Sequence, residues 1–169
     1  RMNSTSAYLF PVGGGIGLFR PVEIQPVNPG NQTFAVRMAP IDATIDFGET
    51  PAGFDRNLKT DSLCLVNPQF YHLINQVQAN GPVGVSLFFD PADAVNDSMA
   101  QWQADPSTGT LRWDKIAVDS LRANALGPLH KMKRNDWSDF NNPAFAMANM
   151  NPVAGFTFPP PIPEPIVLS

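Results

Sequence analysis

The sequence predicts an α+β fold: a mainly antiparallel, partly barrel-like sheet with two short helices, followed by an extended proline-rich C-terminal arm. Three observations carry that expectation. Several segments alternate apolar and polar residues with period two, the mark of a half-buried strand. Two Asn/Asp-Pro steps stand before apolar residues at helical spacing, a helix-start signal. The last forty or so positions show few periodic runs and many prolines. The expected division is residues 1–126 as a sheet-and-helix domain and residues 127–169 as the arm.

The elements follow in order. After Gly13–Gly15, residues Ile16, Leu18, Val22 and Ile24 share one face of a strand that Pro21 places at an edge or bulge. "TFAVRM" alternates Phe34, Val36 and Met38, and "ATIDF" alternates Ala43, Ile45 and Phe47. "SLCLV", residues 62–66, is a short apolar run that fits either a buried strand or an approach to the helix that follows, with Cys64 buried and inert within it. Asn67-Pro68 then opens a helix whose Phe70, Ile74 and Val77 face a sheet. Gly81, in the left-handed conformation, stops it, and Pro82 bars its continuation. Val83, Val85, Leu87 and Phe89 form the next strand face. Asp90-Pro91 repeats the signal, with Val95, Met99 and Trp102 on a second helix. "TLRWDKIAV" is a strand whose apolar phase changes between Trp113 and Ile116, which a bulge near Asp114-Lys115 would reconcile. "DSLRANAL" forms two helical turns, and one further short helix lies around Ala144 to Met150.

Composition bounds the function. The chain has 169 residues, of which 43% are hydrophobic. A chain of that size buries roughly 70% of its unfolded surface. Charged residues make up 15%, well under the ~25% usual for soluble domains. With 18 prolines and 12 phenylalanines, this composition fits a protein whose surface is covered by protein partners or by copies of itself. The net charge of −4 argues against a phosphate-backbone partner, which needs a basic stripe. The one basic cluster, "HKMKR" at residues 130–134, reads as a solvated loop. No apolar run reaches membrane-helix length, and no signal-peptide pattern is visible.

No catalytic constellation assembles from spacing. His72 and His130 are the only histidines, and Cys64 the only cysteine. His72 reads as a helix-surface or partly buried residue. Asp90, Asp93 and Asp97 do not match a calcium loop and read as a solvated face. Trp102 and Trp113 read as core. Enzymatic activity is therefore left open, and no catalytic or metal-binding residue is assigned. The residues expected to engage partners are aromatic and proline positions of the arm: Trp137, Phe140, Phe145, Phe156, Phe158, Pro159, Pro160, Pro161 and Pro163. The expected function is a non-enzymatic structural or assembly subunit, a virion or large-complex component, that grips partner chains with this arm and carries no cofactor.

Three passages also resemble the latter part of the heme catalase fold and its catalase-related peroxidases. "AYLFPVGGGIGLFRPVEIQPV" is similar in layout to that family's barrel hairpin. "FYHLINQVQANGPVGVSLFFDP" resembles its helix ending in Gly/Asp-Pro before a barrel strand. "NDSMAQWQADPSTGTLRWDKIAVDSL" resembles its segment of Asp, Trp, turn and strand. The resemblance covers about residues 8–118. It implies a degenerate catalase-related domain with weak or partner-completed heme binding, because neither Tyr8 nor Tyr71 stands in the family's Arg-x-x-x-Tyr context. If the chain were an enzyme, the resemblance points to catalase or peroxidase chemistry.

Overall fold

The structure is a computed structural model that describes residues 2–15, 17–45 and 53–151. It is all-β: eleven strands and no helix among the described residues. The strands are β1 (Tyr8–Phe10), β2 (Val22–Pro26), β3 (Thr33–Ala39), β4 (Leu63–Val66), β5 (Tyr71–Gln78), β6 (Val83–Phe89), β7 (Ser98–Ala104), β8 (Leu111–Ile116), β9 (Ser120–Leu126), β10 (Leu129–Trp137) and β11 (Ala144–Met150). They form two antiparallel sheets, ordered β1-β2-β6-β10-β9 and β3-β5-β11-β7-β8, with β4 also on β11. Neither sheet closes into a barrel.

The expected α+β class is thus corrected to an all-β sandwich. The segment after Asn67-Pro68 is β5, not a helix. Asn67 does cap: its Oδ1 accepts from the Gln69 and Phe70 amides. It caps a corner between β4 and β5, which lie end to end along β11. The second expected helix is a turn at Asp90–Asp93 followed by β7. "DSLRANAL" is β9, and the helix expected around residues 144–150 is β11. The arm expected from residue 127 onward begins instead with β10 and β11, an inner strand of each sheet. The strands expected over 33–38, 83–89 and 110–118 are present as β3, β6 and β8, and of the two readings open for 62–66 the strand holds, as β4. The first expected strand starts only at Val22, because Gly13 and Phe19 form a small bridge of their own; Ile16, expected on that strand, lies outside the described residues. Of the strand expected over Ala43, Ile45 and Phe47, Ala43–Ile45 is turn and bend, and Phe47 lies outside the described residues.

Two cores hold the sandwich. Between the sheets lie Val22, Ile24, Val85, Leu87 and Met132 from one side, and Phe34, Ile74, Met99, Ile116, Phe145 and Met147 from the other. Each such large side chain, fully buried, contributes on the order of 1.5–3 kcal/mol. The outer face of the second sheet carries another core. Tyr71, Trp102 and Trp113, with Ala100, Ala144, Ala146 and Ala148, lie beneath the described parts of the β3–β4 connection, residues 40–45 and 53–62, whose Phe54 packs edge-on against all three large rings. Its indole partner is fixed as well, since Trp113 Nε1 donates to the Phe54 carbonyl at 3.2 Å. This second core removes the need for the expected bulge at Asp114-Lys115. β8 pairs with β7 in unbroken register, and Trp113 and Ile116 are buried on opposite faces.

Candidate interaction surface

The sequence-expected contact residues separate into two groups. Phe145 is fully buried between the sheets on β11. Phe140 is half-buried and stands edge-on to Phe34, with ring centres 5.2 Å apart, and 5.9 Å from Phe145. Trp137, at the end of β10, donates its Nε1 hydrogen to the Asp139 carbonyl and lies under the Arg134 guanidinium. These three plug one end of the core rather than reach outward, because β11 draws residues 140–145 into the sandwich. Phe156, Phe158, Pro159, Pro160, Pro161 and Pro163 lie outside the described residues.

The place where that segment begins is well defined. β11 runs between β5 and β4 on one side and β7 on the other. Its end is clasped twice. Asn151 donates its amide to the Ser62 carbonyl and its Nδ2 to the Asp61 and Leu63 carbonyls. On the opposite flank Met150 N donates to Asp97 Oδ1, and Asn149 exchanges side-chain bonds with Ala94 and Asn96. Cys64, expected to be buried, is exposed on β4 next to this end, and Met150 is 40% exposed.

The loop that holds Asn149 also closes a buried polar cluster. Asp93 receives Arg20 in a two-pronged ion pair at 2.6 and 2.8 Å, with the guanidinium also donating to the Phe19 carbonyl. His72, read from sequence as surface or partly buried, is fully buried behind it. Its Nε2 lies 2.7 Å from the Arg20 carbonyl. A carbonyl only accepts, so Nε2 carries the proton and Nδ1 is bare, without a partner. Burial pulls the His72 pKa down to about 4; the Arg20 carbonyl opposes the shift and the Arg20 charge adds to it. His72 is therefore a neutral strut, with its acid-base capacity suppressed by the fold. Beside Arg20 a mainly apolar cleft of about 270 Å³ is lined by Gly17, Phe19, Asp90, Leu126, Pro128 and Leu129.

The remaining candidates are absorbed by structure. The basic cluster is an alternating strand: Lys131 pairs with Glu23 and Arg134 with Asp119, while Met132 points into the core. Among the described residues no three His, Cys, Asp or Glu side chains gather as a metal site. No helix there is long and apolar enough to cross a membrane. The chain matches no family model, no curated protein and no solved structure.

Proposed function

We propose that this protein is a non-enzymatic structural or assembly subunit that engages partner chains through residues 152–169. The observation that carries the reading is the double clasp on the end of β11. A proline-dense segment starts from a point fixed to both flanks of the sandwich. Its sequence holds Phe156, Phe158 and six prolines, with Glu164 as its one charged residue. Proline-rich chain is pre-extended and loses little entropy when it docks on a partner's apolar groove. The low overall charge and the Arg20–Asp93 and Lys131–Glu23 pairs, satisfied within the fold, agree with a scaffold rather than a reaction centre.

The test is light scattering on a sizing column, with the whole chain and with a chain lacking residues 152–169. The expected result is a defined oligomer for the first and a monomer for the second, with the same melting temperature within a few degrees. An unchanged oligomer after deletion would refute the arm as the contact. A hemin titration of the same sample addresses the catalase-related alternative. A Soret band saturating at one heme per chain would favour that alternative over the scaffold.

A further inference from the structure

The outer face of the first sheet holds a second kind of site. We infer that a groove centred on Gly84 binds a small, uncharged, hydroxyl-rich ligand of the monosaccharide or disaccharide class. The groove measures about 340 Å³ and is lined by Thr5, Gln25, Pro26, Val27, Gly84, Lys133, Asn135 and Asp136. That volume lies at the small end of ligand pockets.

Three features build it, each in the register of β2, β6 and β10. The first is a bulge. Arg134 pairs with Val85 and Trp137 with Val83, so Asn135 and Asp136 together stand opposite the single residue Gly84. Asp136 takes a φ of +51°, a conformation that costs a residue with a Cβ free energy and persists where the surroundings impose it. The second is the missing side chain. A Cβ on Gly84 would come within 2.7 Å of Lys133 Cε, so glycine makes room for the Lys133 side chain to lie across the floor. The third is a change of charge pairing along the face. Lys131 meets the carboxylate of Glu23 at 2.6 Å. Lys133 meets the neutral amide oxygen of Gln25, also at 2.6 Å. Gln25 in turn donates its Nε2 hydrogen to the Thr5 carbonyl. Gln25 is thus a positioning residue, holding Lys133 on one side and the Thr5 segment on the other.

The chemistry of the lining selects the ligand. An ammonium with one of its three hydrogens spent has two left to donate. The Asp136 carboxylate accepts, the Thr5 hydroxyl does both, and Pro26 and Val27 supply a short apolar wall. An anion meets the Asp136 charge and a cation meets Lys133. A neutral polyol, each of whose hydroxyls donates and accepts, satisfies both at once.

The experiment is an amide-resolved NMR titration of the whole protein. The probes are glucose, galactose, mannose, N-acetylglucosamine, lactose and maltose, with sodium sulfate as the anionic control. The expected result is saturable millimolar binding of at least one sugar, seen at the Gly84, Asn135 and Asp136 amides. Gly84→Ala narrows the floor and displaces only the flexible end of Lys133. Asp136→Gly removes the accepting carboxylate while relieving the positive φ. Each variant is expected to bind about ten-fold more weakly, and Asp136→Gly to melt at the parent temperature or above. No response to any of the six sugars overturns the inference, as does a response to sulfate alone. Equal sugar affinity in parent and both variants also overturns it.

Discussion

At the scale of single residues, His72 and Gly81 have opposite histories and both make predictions. His72 sits neutral among Phe70, Arg20 and the sheet, its pKa held to about 4 mainly by burial. An unfolded chain protonates histidine near its ordinary value of about 6.5. Between those two values the unfolded state binds the extra proton, so stability falls as pH drops from about 6.5 to about 4. The loss approaches about 3 kcal/mol over that window. Urea titrations at steps of pH should show this slope, and His72→Gln should flatten it. Equal slopes in parent and variant between pH 6.5 and 5 would contradict the assignment. Gly81 keeps the positive φ expected of it, +87°, although it turns the chain from one sheet to the other rather than ending a helix. Gly81→Val should therefore lower stability by more than about 1 kcal/mol, read as a lower melting temperature. A neutral substitution would mean that the turn relaxes to another conformation.

At the scale of elements, legibility in the sequence tracked how many faces of a strand are buried. β3 alternates polar with apolar, and its period showed plainly; β6 was read from one apolar face and is in fact buried throughout. β5 misled because Phe70 and Ile74 are four residues apart, a spacing that a helix face and a strand face share. His72 between them completes the strand reading. β11 misled for a different reason. Its inward residues Phe145 and Met147 and outward residues Ala144, Ala146 and Ala148 are all apolar. The alternation is one of size, and alanine by itself favours helix. The apolar phase change in "TLRWDKIAV" is present in the strand, and its cause is a second core and not a bulge. The groove at Gly84 was out of reach, because it depends on three strands that are far apart in sequence. The alanine stripe makes its own prediction. Ala146→Leu adds volume beneath the rings of Phe54, Trp102 and Trp113 and should cost about 1–3 kcal/mol by overpacking, measured by chemical denaturation. An unchanged midpoint would mean that the covering connection lifts freely.

At the scale of the whole molecule, the sandwich explains its own composition. Among the described residues the second sheet is covered on both faces, by the first sheet and by residues 40–45 and 53–62, which leaves the outer face of the first sheet as the broad face open to water. Glu23, Gln25, Lys131 and Lys133 lie on that face. A fold with one solvated face needs fewer charges than one with two, in line with the low charge of the chain. The same arrangement sets the expected behaviour on deleting residues 152–169. Both cores are already closed by described residues that precede this segment, so the sandwich is expected to keep its melting temperature while the oligomer dissociates.

The position of β11 also governs how the protein can be made. The strand that joins β5 and β4 to β7 is the last of the described strands to leave the ribosome. Until residue 150 emerges, β5 and β7 face the cell with unpaired edges and with one wall of each core missing. Synthesis proceeds at about 5–20 residues per second, so a nascent chain spends seconds as an open, aggregation-prone half-sheet. Completion of the sandwich therefore waits for β11, and slowed translation after β7 should lower the soluble yield more than slowed translation after β11.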